Sequence, residues 1–343
     1  MNNTALVLTG TAATLALLYF LRDILIPFVI AFVLAVLVEA LVEEIKRHWP
    51  NAPHWTVSAL AGLLAIAATA GGILILAQGA VQIVQQGPAL LDRLEGLVQG
   101  MGRSLGLSEP LHLSALFGQL NVGQVAGYVL SGVQGVGGTI LLIVIYFGFL
   151  LFGRRRISDK LDVMADASPG AERPNAIIDR VAADIRVYLW VQTVTGVMIT
   201  AAAAAVMLAV GLHNVLFWSV VFFLISFIPN IGTTVGSVAP ALFALLQFRT
   251  TWQAIAIFAV IQLAAFIVGN LVYPRMQAEA QNIDPVATIL ALSFWTLLWG
   301  ISGAFLAVPL TLMLMMIFAQ FDSTRWVAAI LSNDGKPDFH KSS

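Results

Sequence analysis

Ile228-Pro229-Asn230-Ile231-Gly232-Thr233-Thr234-Val235-Gly236-Ser237-Val238-Ala239-Pro240 interrupts the long apolar stretch 215–247, and the reading of that interruption decides the fold. Pro229 has no amide hydrogen to give a helix, while Gly232 and Gly236 permit a turn or a close backbone approach. The apolar runs on either side are about 14 and 13 residues, and a membrane-crossing helix needs roughly 20. Irregular backbone is tolerated at membrane depth only where protein or a wet cavity receives it. The stretch is therefore predicted to be a re-entrant hairpin of two half-helices.

A second stretch, 286–321, is broken in the same manner by Leu298-Trp299-Gly300-Ile301-Ser302-Gly303, with Pro309 beyond the break. A full span precedes each broken stretch, and the intervening span, 251–272, reverses the chain. One hairpin should then open outward and the other inward. That is an inverted repeat whose discontinuous helices meet near the midplane, the device secondary transporters use to bind solute.

Composition agrees. The 343 residues are 59% hydrophobic and 10% charged, with mean hydropathy +0.91, where a soluble domain carries about 25% charged residues. The 17 basic and 18 acidic side chains leave a net charge of −1, which argues against a nucleic-acid footprint. The chain has no Cys, so disulfides, thiolate metal sites and cysteine catalysis are excluded. The first twenty residues lack a basic leader and a cleavage site, and read as a retained span.

The fold class expected is all-α and polytopic, with about six full transmembrane helices plus the two broken hairpins, eight apolar segments together. Full spans are predicted near 4–21, 24–42, 56–80, 135–152, 187–210 and 251–272. Arg22 and Asp23 separate the first two, and Pro27 suits the first turn of the second. Seven Lys and Arg residues between Arg154 and Arg186 place 153–186 in the cytoplasm. Counting back puts Lys46, Arg47 and the N-terminus inside as well. The organisation is then N-terminal transmembrane helices in 1–81, an external amphipathic helical segment in 82–134 (Leu90, Leu91, Leu94, Leu97, Val98) and a transmembrane helix in 135–152. A cytoplasmic basic loop and amphipathic helix follow in 153–186, where Ile177, Ile178, Val181, Ile185 and Leu189 keep helical spacing. A transport core fills 187–321 and a cytoplasmic tail 322–343.

From Val187 to Phe248 and from Pro285 to Phe321 there is no charged side chain. The binding groups available there are hydroxyls and amides, which donate and accept without a charge to desolvate. Asn230, Thr233, Thr234 and Ser237 are the solute-binding candidates; Gln262 and Asn270 of the intervening span either join them or bond across helices. Pro229, Gly232, Gly236, Pro240, Gly300, Gly303 and Pro309 shape the hairpin backbones. The leading reading is a carrier for a small neutral or weakly charged polar solute, seated in the lipid bilayer. Cation antiport would need an ionisable residue at depth, for which Glu39, Glu279 and Asp284 are the candidates. A passive channel or scaffold is a third reading. An intramembrane enzyme lacks its motif, since no His-Glu-x-x-His occurs and His213 stands alone in the apolar half. No Walker loop, metal site or cofactor site is present in the sequence.

Phe227-Ile228-Pro229-Asn230-Ile231-Gly232, Pro240, Asn270-Leu271-Val272-Tyr273-Pro274-Arg275 and Gly300-Ile301-Ser302-Gly303-Ala304-Phe305-Leu306-Ala307-Val308-Pro309 stand in the order and spacing of the autoinducer-2 exporter-like family, which the chain resembles over nearly its whole length. Ile26-Pro27-Phe28 and Arg186-Val187-Tyr188-Leu189 fit as well. The resemblance implies a multipass protein of the bacterial plasma membrane that exports a small polar molecule linked to quorum sensing. Some relatives look like cation/proton antiporters. It also implies a homo-oligomer, a pentamer by analogy. One departure concerns Ala278, which stands where the family usually has Gly, among Gln277, Glu279 and Gln281.

Overall fold

The computed structural model describes residues 3–104, 137–151, 153, 174–228, 232–277 and 283–335, with the side chains of 3, 4, 6, 7, 54, 101–104, 174–181 and 277 left out of account. Every regular element among them is helical. In chain order these are α1 (Asn3–Phe20), α2 (Arg22–His48), α3 (His54–Gln85) and α4 (Gly87–Ser104), then α5 (Gly137–Leu151). They are followed by α6 (Pro174–Ala209), α7 (Val215–Ser226), α8 (Gly232–Gln247), α9 (Trp252–Ile267), a π turn (Val268–Val272), α10 (Tyr273–Gln277), α11 (Pro285–Ala319) and α12 (Arg325–Leu331). Arg22–His48, Trp55–Gln85, Ala182–Ala209 and Trp252–Met276 are long and apolar enough to cross a membrane as single rods. The chain is an all-α polytopic membrane protein. The basic cluster from Arg154 to Arg173, Pro229, Asn230, Ala278, Glu279, Gln281 and most of the 82–134 segment lie outside the described residues.

The chain divides into two compact units. One comprises 1–66, 139–193 and 276–343, and the other 67–138 and 194–275. In the first, α2 buries a face of small and β-branched residues. Ala31, Val38 and Val42 pack with Val57 and Ala61 of α3 and Phe147 of α5. Basic residues in its last turn (Lys46, Arg47, His48) suit the negative end of the helix dipole.

α1 and α2 meet at a bend rather than a break. Leu21 alone separates them. Its N–H bonds to the Leu17 carbonyl, and its own carbonyl receives the N–H of Leu25 at 2.9 Å. The helical ladder thus runs through with a bend, and Pro27 falls inside α2 rather than in its first turn. Arg22 lies 4.6 Å over the Tyr19 ring. The Trp299 indole N–H caps the Leu18 carbonyl at 2.9 Å. Trp299→Phe keeps an aromatic side chain but loses the indole N–H that caps that carbonyl. It is expected to cost about 1 kcal/mol, read as a lower unfolding midpoint.

The second predicted hairpin is a hairpin. Two helices follow one another without an intervening loop over the 35 residues of α11, and Gly300 between them has φ 62, ψ −140. The Trp295 Nε1–H donates to Thr311 Oγ1 at 3.2 Å across a sequence separation of 16. An uninterrupted helix would hold those residues about 24 Å apart. The chain therefore doubles back at Gly300 into two arms, 285–299 and 301–319. A Cβ on Gly303 would overlap the Trp295 carbonyl. Asp284 starts the first arm, its carboxylate accepting from the Val286 and Ala287 amides at 2.8 and 3.1 Å, with Pro285 at the first helical position. The Asp284 N–H reaches the Leu331 carbonyl at 3.0 Å, tying α12 to the foot of the hairpin.

In the second unit α7 and α8 form the first hairpin, packed on α9. The buried core joins Ile199, Ala203 and Met207 of α6, Phe222 of α7, Phe243 and Ala244 of α8, and Ala254, Ile257 and Ile261 of α9. Within 82–134, Gly87–Ser104 forms α4, whose Leu90 packs on this core. The expected helix leading into span 187–210 is continuous with it, as α6.

Candidate functional site

α7 ends at Ser226 and α8 begins at Gly232, so the break falls where the Pro229–Gly232 signal predicts. Gly232 is required by contact rather than by dihedral. A Cβ there would overlap the Ile225 carbonyl and come within 2.8 Å of Ser226 Cα. One turn on, a Cβ at Gly236 would sit 2.7 Å from the Phe222 ring. The two half-helices meet so closely because glycine gives each the other's volume. Pro240, fully buried in α8, cannot donate to the Gly236 carbonyl and so frees a backbone acceptor beside this contact.

Ser237 occupies the centre. It has no exposed surface. Its hydroxyl lies 2.8 Å from the Thr234 carbonyl and 3.4 Å from Gln262 Oε1 of α9. Gln262 and Thr233 are half-buried, and Thr234 is exposed. The structure thus brings Ser237 and Gln262 together, with Thr233 and Thr234 on the adjoining turn. Asn270 is not part of that group. It is exposed in the π turn, and its Nδ2 donates to the Phe266 carbonyl at 2.8 Å. Pro274 explains the turn, since it lacks the N–H that would meet the Asn270 carbonyl four residues back. The ladder widens instead, and the Tyr273 N–H bonds to the Val268 carbonyl.

Two buried hydroxyls near the break carry no motif. Ser226 closes α7, its Oγ donating to the Phe223 carbonyl at 2.7 Å. It lies where a Cβ on Gly196 of α6 would come within 2.9 Å. Thr195, next to that glycine, is also buried. The signal available in sequence was Gly196, the one glycine in the span 187–210.

Of the ionisable candidates, Glu39 and Asp284 occupy other places. Arg186 of α6 reaches Glu43 Oε1 at 2.6 Å and Glu39 Oε2 at 3.4 Å, one guanidinium between two carboxylates a helical turn apart. The Asp284 carboxylate caps α11 as described. Among the described residues, no group of three or more His, Cys, Asp or Glu is placed to hold a metal ion. Around Ser237 the chemistry is uncharged hydroxyl, amide and carbonyl, suited to a ligand that both donates and accepts.

The family described as AI-2E family transporter matches residues 8–322. A Haemophilus influenzae (strain ATCC 51907 / DSM 11121 / KW20 / Rd) protein named for transport is 24% identical over 340 residues, 95% of this chain and 96% of that one. The AI-2 transport protein TqsA of Escherichia coli (strain K12) is 24% identical over 247 residues, 72% of this chain and 70% of TqsA. YhhT of the same strain, likewise named for transport, is 28% identical over 213 residues, 61% of this chain and 58% of YhhT. The aligned part therefore spans under two thirds of YhhT. Full-length similarity of this kind, the broken hairpins and the apolar spans have one reading: the chain belongs to the AI-2E transporter family and is a multi-pass membrane permease.

Proposed function

We propose that the chain is a secondary carrier that exports a small, uncharged polar solute from a bacterial cell, with Ser237 and Gln262 as first binding groups, Thr233 and Thr234 on the adjoining turn, and Asn230 as a further ligand on the strength of its sequence position. The observation that carries this reading is the fully buried Ser237 hydroxyl, held within reach of the Gln262 amide at a glycine-built break between half-helices. A membrane interior keeps polar side chains of this kind where they have a task or a partner. Because TqsA is named for AI-2, a polyhydroxylated autoinducer of that class is the first solute to try. Quorum-sensing export from the plasma membrane, cytoplasmic termini and assembly as a homo-oligomer, with five copies as the first stoichiometry to test, belong to the same proposal. Cation antiport has less support. Glu39 is held by Arg186, and the Asp284 carboxylate is spent on a helix cap.

The test is efflux from proteoliposomes loaded with AI-2 or a small polyol, with and without a proton gradient. Wild type should show saturable efflux with competition by analogues. Ser237→Ala and Asn230→Ala should slow it roughly 5- to 10-fold, the worth of one solute hydrogen bond in a buried site. Non-saturable flux would mark a channel. Unchanged, saturable efflux in both variants at wild-type protein levels would defeat the site assignment.

A further inference from the structure

α12 bridges the two feet of the second hairpin. At its start, Thr324 Oγ1 donates to the Phe318 carbonyl at the end of the arm 301–319, at 2.9 Å. At its finish, the Leu331 carbonyl accepts the Asp284 N–H where the arm 285–299 begins, at 3.0 Å. The bond from Trp295 to Thr311 keeps the arms abreast, so the feet, at Pro285 and Ala319, end at one level. Packed helices lie about 8–10 Å apart. The 7 residues of α12 make a rod about 10 Å long, the length needed to reach from one foot to the other. The feet of an apolar hairpin that enters and leaves lipid on one side stand at headgroup level, and a helix laid across them runs along that surface.

At about 100° per residue, α12 has three sectors. Ala328, with no exposed surface, and Ser332 just beyond the helix are buried. Trp326 and Ile330 are 63% and 66% exposed, and with half-buried Val327 they form an apolar edge. Arg325 is exposed on the side opposite Ile330 and Val327. Among the described residues, an apolar edge and a basic edge thus flank the sector that packs on the hairpin. Leaving the apolar edge in water would cost free energy in proportion to its area.

We propose that α12 is an interfacial helix whose Trp326–Ile330–Val327 edge docks into the boundary between lipid headgroups and acyl chains, with Arg325 turned to the aqueous phase. Two observations select lipid as the occupant. The helix is joined at both ends to an apolar hairpin, so its edge continues the surface that the hairpin presents to the bilayer. Trp on an apolar edge with Arg on the polar one is the combination that settles at a membrane interface. The stretch 322–343, expected as a cytoplasmic tail, then begins with a membrane contact, and that contact fixes the depth of both feet.

The test places a nitroxide on full-length protein at one site at a time, in Trp326→Cys, Ile330→Cys and Arg325→Cys. All three side chains are exposed, so the label displaces no packed neighbour. Each variant is reconstituted in vesicles of phosphatidylethanolamine and phosphatidylglycerol. Collisions are then measured with oxygen, which concentrates in hydrocarbon, and with a water-soluble nickel chelate. The ratio of oxygen to nickel collisions should be roughly 5-fold or more higher at positions 326 and 330 than at 325. A ratio equal at the three positions, or higher at 325, overturns the proposal. Low collision with both reagents at 326 and 330 overturns it as well, because protein then covers the edge. In that case, spin–spin broadening that vanishes on dilution with unlabelled protein identifies the cover as a second copy.

Discussion

Replacing Gly303 with alanine is expected to cost about 3 kcal/mol or more, which would leave little folded protein after solubilisation. The added Cβ would overlap the Trp295 carbonyl and approach Trp299 Cβ to 3.1 Å. The first obstacle is backbone, which cannot rotate away as a side-chain tip does. Relief would require the arms of α11 to part, breaking the Trp295–Thr311 hydrogen bond and uncovering the buried stretch Leu306–Leu312. Fluorescence-detected gel filtration over a temperature ramp would measure the loss. Gly71→Ala is the control. That glycine lies inside α3 with nothing within 4 Å of a built Cβ, so alanine there should gain about 0.5–1 kcal/mol from helix propensity. If both variants shift the midpoint alike, the close approach of the two arms is wrong.

Removing the guanidinium of Arg186 is the second large effect expected. Glu39 and Glu43 would then oppose each other across one helical turn, with the cation that reaches both of them gone. Loss of one partner from a fully buried pair costs about 3–5 kcal/mol. Here the side chains keep 21% (Arg186), 28% (Glu39) and 58% (Glu43) of their surface exposed. Solvent screening reduces the expectation to about 2 kcal/mol for Arg186→Gln. The double variant Arg186→Gln/Glu39→Gln should recover more than half of that, because the repulsion goes with the second charge. A double variant no more stable than the single one would mean the carboxylates do not interact. The same pairing gives an expectation for transport: Glu39→Gln should alter stability and leave the gradient dependence of efflux as in wild type.

Both hairpins were legible in the sequence because glycine and proline interrupt apolar runs too short to cross twice. Gly300 and Gly303 lie where the second turn is made, and Gly232 where α8 begins. What sits across each turn was not legible. Trp295 meets Thr311 only after the chain doubles back, and no local pattern pairs them. Ser237 and Gln262 were chosen for their chemistry, and their proximity depends on how α8 lies along α9. The charges at Arg22 and Asp23 marked a boundary between two spans, and that boundary is a bend, since Arg22 can stack on Tyr19 without leaving the helix. The widened turn before Pro274 could have been anticipated from the missing amide alone. Asn270 is polar in an apolar span, and its amide donates to the Phe266 carbonyl one turn back, in the turn that Pro274 widens.

That widened turn has a consequence for anyone mapping the segment by chemical labelling. Each residue of a regular helix advances the azimuth by about 100°, so one surplus residue at Val268–Val272 throws everything after it out of phase by that angle. A wheel drawn straight through 252–277 would assign Tyr273, Arg275 and Met276 to the wrong side. The protein has no native cysteine, so single thiols can be walked along the segment without first clearing a background. Their reactivity should oscillate regularly up to Ile267, lose its rhythm for one turn, and resume with the peaks displaced.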